Sequence, residues 1–476
     1  MSTTQVSGST ATIKPANSAT ESAITAGDGD YHRGLSTRQV NMIAIGGAIG
    51  TGLFMGAGGR LAQAGPGIVI SYAICGALAF LILRALGELV MYRPSSGSFV
   101  SYAREFYGEK AAFASGWLYW LNWSMTAIVD ITAAALYMNF FGRYVSWISA
   151  VPQWTWALAA LLLVLGMNLI SVKVFGELEF WFALIKVVAL SAFLVAGCYF
   201  VTFGTPIEGH TTGWSLIQDN GGILPNGILP VLVLMQGVVF AYASIELLGT
   251  AAGEVENPEK VMPKAINTVI FRIAIFYVGS LILLSLLLPY VEYKAGESPF
   301  VTFFGAIGVP GMDVVMNLVV LTAAMSSLNA GLYSTGRILR SMSLNGSAPK
   351  FAGRISANGV SYGGIVITSV VAAIGIIASW GMIMLCHITL VKKSDRGQLQ
   401  RPSFRMPFAP YSSWFVPVAL VLIVVLMAFD NPVGTWTVAG LLVIIPILIA
   451  GWYVCRGRIN AIAAERAAAG QEAAIF

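Results

Sequence analysis

Eleven long apolar stretches occupy most of this chain of 476 residues. Each is close to or above the roughly 20 residues that a helix needs to cross the hydrocarbon core of a bilayer. The composition agrees, because 57% of the residues are hydrophobic and only 10% are charged, against roughly 25% charged residues in an average soluble domain. The sequence therefore predicts an all-α polytopic membrane protein with spans at about 39–63, 67–92, 112–141, 154–171, 176–203, 229–252, 269–289, 313–336, 364–391, 413–429 and 434–455.

The segments that connect the stretches alternate between basic and nearly uncharged. Cytoplasmic loops carry an excess of Lys and Arg, so we assign the basic segments and both termini to the cytoplasm. We expect the protein to lie in the cytoplasmic (inner) cell membrane. We expect a disordered tail over 1–38, without the apolar core of a signal peptide, a transmembrane domain over 39–455 and a cytoplasmic tail over 456–476. Insertion topology explains the net charge of +5, so the lipid bilayer is an expected partner and nucleic acid is not.

One stretch does not fit this alternation. The basic loops 337–362 and 392–412 flank the single apolar stretch 364–391, and charge places both loops in the cytoplasm. As a helix this stretch reaches roughly 44 Å, which crosses a core of about 30 Å once but not twice. Three explanations stay open: a re-entrant or interfacial hairpin, a basic loop forced to the outside, or a span that this chain lacks.

The first stretch is interrupted in its middle by the glycine-rich run Gly46–Gly52. A membrane helix satisfies its own backbone hydrogen bonds, so an interruption at mid-depth persists only where it lines a cavity or binds a ligand. The sixth stretch has a second interruption over Phe240–Gly249. Interruptions at corresponding positions predict a five-plus-five inverted-repeat transporter with broken helices 1 and 6 and a site at the bilayer midplane. Close helix packing through paired glycines is the alternative, and the two explanations are compatible.

Several ionisable residues lie inside apolar stretches. Lys186 is near the middle of the fifth stretch and Glu246 is beside the second interruption. A charge in the membrane interior is costly unless it is paired, so both are candidates for reversible protonation during transport, although either could be a static ion-pair partner and Glu246 could hold a substrate ammonium. Asp130 is a weaker candidate, because it could simply neutralise a neighbour. Arg84 and Glu88 are four residues apart and predict a local ion pair.

The sequence offers no motif for metal binding or catalysis. Its four cysteines and three histidines lack ligand or disulfide spacing. Gly359–Gly363 matches the G-x-S-x-G pattern of serine hydrolases, but it leads into a membrane helix without the strand that the motif requires. We therefore expect no metal, no cofactor and no enzymatic activity.

Further runs carry a family resemblance. The segment from Ala64–Gly67 to Gly87–Leu89, together with Gly50–Gly52 and Phe240–Glu246, resembles the amino acid transporter family of the amino acid/polyamine/organocation superfamily, over about residues 33–455. Within that family, three further segments are most similar to the bacterial L-asparagine permease subgroup: Gly116–Trp123 with Asp130–Thr132, Phe180–Lys186 and Ser326–Asn329.

The resemblance implies a secondary active permease for proton-coupled uptake of L-asparagine or another small amino acid. Backbone N–H groups of Gly50–Gly52 would hold the substrate carboxylate, and carbonyls of Ala48, Phe240 and Ala243 its ammonium, with Phe240 as an aromatic gate. Lys186 would stand where sodium-coupled relatives bind a cation, which favours proton coupling. The implied substrate-binding residues are Ala48, Gly50, Thr51, Gly52, Phe240, Ala243 and Ser244.

The chain departs from the family at one place. The resemblance implies twelve spans, with two between the loops 337–362 and 392–412, whereas the sequence has one fused stretch there and about 11 spans in all. A transport-defective variant, or an amino acid-binding or sensing membrane protein that keeps the site, is therefore the alternative function.

Overall fold

The computed structural model describes residues 38–39, 42, 49–93, 95, 97–242, 245–251, 258–354, 376–399, 401–429 and 433–468. The described chain is almost entirely helical, and the only β pairing in it is an isolated bridge between Ile207 and His210. The predicted N-terminal tail lies outside the described residues except for Arg38. The all-α fold expected from the sequence is confirmed.

The first part of the chain contains eight helices within the described residues: α1 Thr51–Phe54, α2 Gly56–Ala64, α3 Ile68–Tyr92, α4 Ser98–Tyr107, α5 Glu109–Phe140, α6 Ser146–Ala150, α7 Gln153–Ile170 and α8 Val172–Phe203. The run from α1 to α3 covers 42 residues, or roughly 63 Å of helix, which is about twice the thickness of a bilayer core. It reverses at Gly65, whose φ of 64° favours glycine. A Cβ there would also lie 2.4 Å from the Pro225 side chain.

The later part of the described chain contains one short helix, the two halves of the sixth predicted span and the helices that follow them. A π-helical segment, Ile273–Gly279, joins the helix that ends at Arg272 to the helix that begins at Ser280. The helices are α9 Trp214–Asp219, α10 Ile228–Val233, α11 Met235–Ala241, α12 Leu247–Ala251, α13 Pro258–Arg272, α14 Ser280–Leu287, α15 Pro299–Ala306, α16 Met312–Leu344, α17 Ile376–Asp395, α18 Tyr411–Met427 and α19 Val433–Ala468.

Seven helical runs among the described residues are long and apolar enough to cross a membrane, and two shorter apolar runs, Ile228–Ala241 and Tyr411–Leu426, accompany them. Ten of the eleven predicted stretches fall on these runs, because the first two share the run from α1 to α3. The remaining stretch, 364–391, is described only from Ile376 onward. The long runs are Thr51–Tyr92, Glu109–Arg143, Gln153–Ile170, Val172–Phe203, Val261–Leu287, Met312–Leu344 and Leu442–Glu465.

Helices α5 and α16 lie side by side in the centre of the molecule and run in opposite directions. Near one end, a Cβ on Gly116 would meet the Met342 sulfur at 2.6 Å. Near the other end, Asn317 Nδ2 donates to the Tyr137 carbonyl at 2.9 Å. Small residues at the crossing allow the helices to approach closely. This pair forms the rigid support for the polar residues described below.

The two basic loops that flank the fused stretch meet the same end of α5. Trp117, two turns into α5, donates from Nε1 to the Ser347 carbonyl just beyond α16 (3.1 Å). Phe106 and Tyr107 end α4, two residues before α5 begins. The ammonium of Lys393, in the loop 392–412, lies 5.1 Å from the Phe106 ring centroid, and Tyr107 donates to the Leu385 carbonyl inside the fused stretch (2.8 Å). Residues of both loops therefore lie near one end of α5, and the side of the membrane on which they lie stays a prediction from their charge.

Candidate functional site

The first helix break is centred on Gly50. This residue has extended backbone (φ −122°, ψ −165°), and α1 begins immediately after it. The Gly50 carbonyl accepts hydrogen bonds from the N–H groups of Leu53 (3.2 Å) and Phe54 (3.3 Å). The N–H groups of Thr51 and Gly52 come too early in the helix to have a carbonyl partner within it, and such groups favour an anion. Ala48 lies outside the described residues.

The second break interrupts the sixth span after Ala241. Helix α11 ends there, Tyr242 has a non-helical ψ of 2°, and helix resumes at Leu247. Tyr277 Oη donates to the Ala241 carbonyl at 2.9 Å and satisfies one acceptor at the break. Ala243 and Ser244 lie outside the described residues. The broken helices 1 and 6 predicted from the sequence are confirmed.

The two breaks meet directly. A Cβ on Gly52 would lie 2.4 Å from the Ala241 Cα, so this contact requires a residue without a side chain. Beside it is a cavity of about 300 Å³, at the small end of ligand pockets. Thr51, Gly52 and Phe240 line this cavity together with Arg60. Three of the predicted substrate-binding residues therefore share one cavity, whereas Gly50 is not among its lining residues.

Arg60 places a positive charge at this cavity. Its Nη1 donates to the Gly52 carbonyl at 3.0 Å and to Tyr72 Oη at 2.9 Å. The arginine therefore anchors the helix immediately after the break and adds to the positive potential of the α1 N-terminus. Sequence reasoning did not single out this residue, although a cation eight positions after Gly52 in an apolar stretch was a usable signal.

A buried polar cluster lies behind the first break. Thr51 Oγ1 donates to Asp130 Oδ1 at 2.8 Å. The Lys186 ammonium, which is fully buried, interacts electrostatically with both Asp130 and Glu179. Asp130 was predicted to be the weaker candidate, yet it is the carboxyl that touches the break.

Serine and asparagine side chains of α16 connect Lys186 to Glu179. Lys186 Nζ donates to Ser326 Oγ at 2.9 Å, and Ser326 Oγ donates to Glu179 Oε1 at 2.5 Å. Asn329 Nδ2 donates to Glu179 Oε2 at 3.1 Å, and Asn168 donates to the Asn329 side chain at 2.7 Å. Glu179 was not among the predicted residues. Its position seven residues before Lys186, on the same face of α8, was the signal that could have found it.

Glu246 occupies a different place. It is buried beyond the second break, and its carboxylate interacts electrostatically with Tyr119 of α5. Tyr119 in turn shares a hydrogen bond of 2.7 Å with Ser334. The structure thus separates the two predicted proton-coupling residues, with Lys186 behind the first break and Glu246 behind the second.

Arg84 and Glu88 interact electrostatically, as the sequence predicted, but neither is the other's hydrogen-bond partner. Glu88 accepts from His387 Nε2 (2.8 Å), from Arg401 Nε (2.5 Å) and from the Met406 N–H (2.9 Å). Arg84 instead donates to the Asn267 side chain and the Arg405 carbonyl. The i, i+4 rule describes an exposed helix, whereas here α17 and the loop after it bring donors into a buried site.

Comparison with known proteins identifies the family of this chain. The family model for amino acid permeases matches residues 39–379. The chain belongs to the amino acid permease family. Members of this family are transporters and not enzymes, so the fold is that of a multi-pass membrane transporter, as the sequence predicted.

Relatives named as L-asparagine permeases align with nine-tenths or more of this chain. It is 58% identical to L-asparagine permease 1 of Mycobacterium tuberculosis (strain ATCC 25618 / H37Rv), over 92% of this chain and 93% of the relative. It is 56% identical to the L-asparagine permease of Escherichia coli (strain K12), over 90% of both chains. It is 52% identical to the L-asparagine permease of Streptomyces coelicolor (strain ATCC BAA-471 / A3(2) / M145), over 91% of this chain and 92% of the relative.

The alignments also show that this permease is shorter than its relatives. The first of these alignments spans 458 residues but involves 92% of the 476 residues here. Ninety-two per cent of 476 is about 438, so about 20 aligned residues of the relative have no counterpart in this chain. The family match itself ends at residue 379, inside the fused stretch 364–391.

Proposed function

We propose that this permease binds L-asparagine at the junction of its two helix breaks and couples its uptake to protons across the cytoplasmic membrane. The observation that carries the proposal is the contact between Gly52 and Ala241, which brings both breaks to the cavity lined by Thr51 and Phe240. The names of the relatives supply the choice of L-asparagine.

An amino acid fits this junction by charge. Its carboxylate binds the N–H groups of Gly50, Thr51 and Gly52, where the dipole of the helix beginning at Thr51 favours an anion. The proposed ligands of its ammonium are the carbonyls of Ala48, Phe240 and Ala243, and Ser244 is a further proposed substrate-binding residue; Phe240 is the one of these four among the described residues. Phe240 lines the cavity and closes over the bound substrate.

Proton coupling is assigned to the buried ionisable residues. Lys186 has a central role, because its ammonium interacts with Asp130 of α5 and with Glu179 of its own helix, to which Ser326 connects it. Glu246 is the second candidate and lies beyond the other break. Both termini are placed in the cytoplasm by the charge of the connecting loops.

Equilibrium binding of radiolabelled L-asparagine to the purified protein tests the site. We expect Gly50→Val to abolish binding, because a branched side chain against Ser327 displaces the backbone whose N–H groups hold the substrate carboxylate, whereas a single Cβ makes only ordinary contact there. Gly166→Val is the matched control, since a Cβ at Gly166 meets no atom within 4 Å. Normal affinity in the Gly50 variant, with both variants folded, would disprove the site assignment.

A second candidate function is binding or sensing of an amino acid without transport, and it rests on the aligned residues of the relatives that have no counterpart in this chain. If the roughly 20 absent residues remove a crossing from the second repeat, the protein could bind asparagine without alternating access. Reconstituted vesicles with an imposed pH gradient separate the two functions. Accumulation that a protonophore abolishes supports the permease, whereas saturable binding without accumulation supports the binding or sensing protein.

A further inference from the structure

The cluster of Asp130, Lys186 and Glu179 contains an imbalance of charge. If all three groups are ionised, the cluster carries a net charge of −1, and every member is at most 1% exposed. A net charge in a membrane interior is strongly unfavourable. One additional proton makes the cluster neutral, and two carboxyl groups compete for that proton.

The hydrogen bonds distinguish the two carboxyl groups. Both oxygens of Glu179 accept hydrogen bonds, from Ser326 and Asn329, as an ionised carboxylate requires. Asp130 Oδ1 accepts from Thr51, whereas Asp130 Oδ2 is buried and has no donor in hydrogen-bonding geometry among the described residues. The Ser327 hydroxyl also interacts with this carboxyl, and a hydroxyl can accept a hydrogen bond from a protonated acid as well as donate one. An oxygen without a donor is the favoured position for a proton, since a buried carboxylate oxygen left without one is costly.

We propose that Asp130 carries the exchangeable proton of this permease, while Lys186 and Glu179 form a permanent ion pair through Ser326. The proposal rests on the proposed proton-coupled function and names the group that binds the proton. The titratable groups that act on Asp130 are Lys186 directly and Glu179 behind it. The Ser327 hydroxyl also lies beside the Asp130 carboxyl, and a Cβ on Gly50 would be 3.7 Å from that hydroxyl.

This arrangement links the proton to the substrate. Thr51 contributes its N–H to the proposed carboxylate site and its hydroxyl to Asp130, so an ionised Asp130 places a negative charge next to the bound substrate carboxylate. Like charges repel strongly where water is excluded. Protonation of Asp130 to the neutral acid removes this repulsion, and the substrate and proton therefore bind together. The proton enters through the cavity, which Thr51 and Val129 line.

The sign of the pH dependence follows from this linkage. Asparagine binding favours the protonated form, so affinity is highest at low pH and falls as pH rises through the titration of Asp130. One linked proton limits the loss to about tenfold per pH unit. In weakly buffered solution, binding at high pH should take up close to one proton per asparagine bound, as reported by a pH-sensitive dye.

Asp130→Asn tests the assignment, because an amide resembles the protonated acid but cannot titrate. We expect this variant to bind asparagine with an affinity that does not change with pH and without proton uptake. Asp313→Asn is the matched control, since Asp313 lies at the start of α16 and accepts a hydrogen bond from the exposed Tyr144. The control should retain the pH dependence. An Asp130→Asn variant whose affinity follows pH as the parent does would overturn the proposal.

A measurement on the unmodified protein does not depend on folding of a variant or on asparagine binding. Dicyclohexylcarbodiimide adds to protonated carboxyl groups in apolar surroundings, and peptide mass spectrometry locates the resulting N-acylurea. We expect an adduct at Asp130 that declines as pH rises, and none at Glu179. An adduct at Glu179, or at neither carboxyl, would overturn the proposal. Absence of asparagine binding with an adduct at Asp130 would refute the substrate assignment and leave the proton assignment standing.

Discussion

A single methyl group at Gly52 should separate the two helix breaks. A Cβ built there lies 2.4 Å from the Ala241 Cα and 3.0 Å from its nitrogen, whereas carbon atoms pack at about 3.5–4.0 Å. The breaks must therefore move apart by at least about 1 Å in Gly52→Ala. Overpacking of this kind costs about 1–3 kcal/mol. If the strain appears in substrate binding, the Kd for asparagine rises roughly 5- to 150-fold.

The matched variant is Gly50→Ala in the same broken helix. Its Cβ meets Ser327 Oγ at 3.7 Å, an ordinary contact, and its φ of −122° suits alanine. Equilibrium binding of labelled asparagine and the thermal midpoint in detergent should be measured for both variants. We expect a large loss of affinity for Gly52→Ala and a small change for Gly50→Ala. Equal losses, or an unchanged Gly52 variant, would show that close contact between the breaks does not build the site.

Three other changes test separate parts of the structure. Lys186→Ala should remove the pH dependence of asparagine affinity, measured by binding between pH 5 and 8, because the carboxyls lose the cation that sets their charge. Glu88→Gln should lower the free energy of unfolding by about 3 kcal/mol, because it breaks a buried ion pair. The control, Glu177→Gln at an exposed ion pair, should lower it by less than about 1 kcal/mol. Equal shifts in thermal midpoint for the two variants would contradict the predicted difference. Lys350→Cys and Gln398→Cys, each in a background without the native cysteines, should both react with an impermeant maleimide applied from the cytoplasmic side. Labelling of the two positions from opposite sides would disprove that the loops 337–362 and 392–412 lie on the same side of the membrane.

The membrane spans and the two helix breaks can be predicted from the sequence, because each depends on the residue types within one short segment. Hydropathy locates the spans because burial in lipid demands long apolar runs, and the two interruptions stand out because glycine and acidic residues are unexpected there. These features require no knowledge of which helices are neighbours.

The partners of the buried charges depend on packing between distant helices. Lys186 meets carboxylates from α5 and from its own helix through a serine of α16, and nothing in the sequence near Lys186 identifies Asp130 as the residue beside the break. Glu88 shows the same effect, because its donors lie about 300 residues later in the chain. Sequence reasoning finds the costly groups, but the structure shows how their charges are balanced.

The fused stretch bears on whether binding leads to transport. The contacts of Ser347 and Lys393 bring the chain before and after it to the end of α5 that adjoins α4, while the helix breaks and the cluster around Lys186 are assembled from α1, α5, α8, α11 and α16. The His387 side chain of α17 also joins Glu88, at the far end of α3 from the turn at Gly65. The region around the fused stretch therefore contacts one end of the bundle, and its described residues do not line the cavity at the two helix breaks. In the proposed function, substrate binding and alternating access consequently involve different parts of this chain, and a deletion can impair the second while sparing the first.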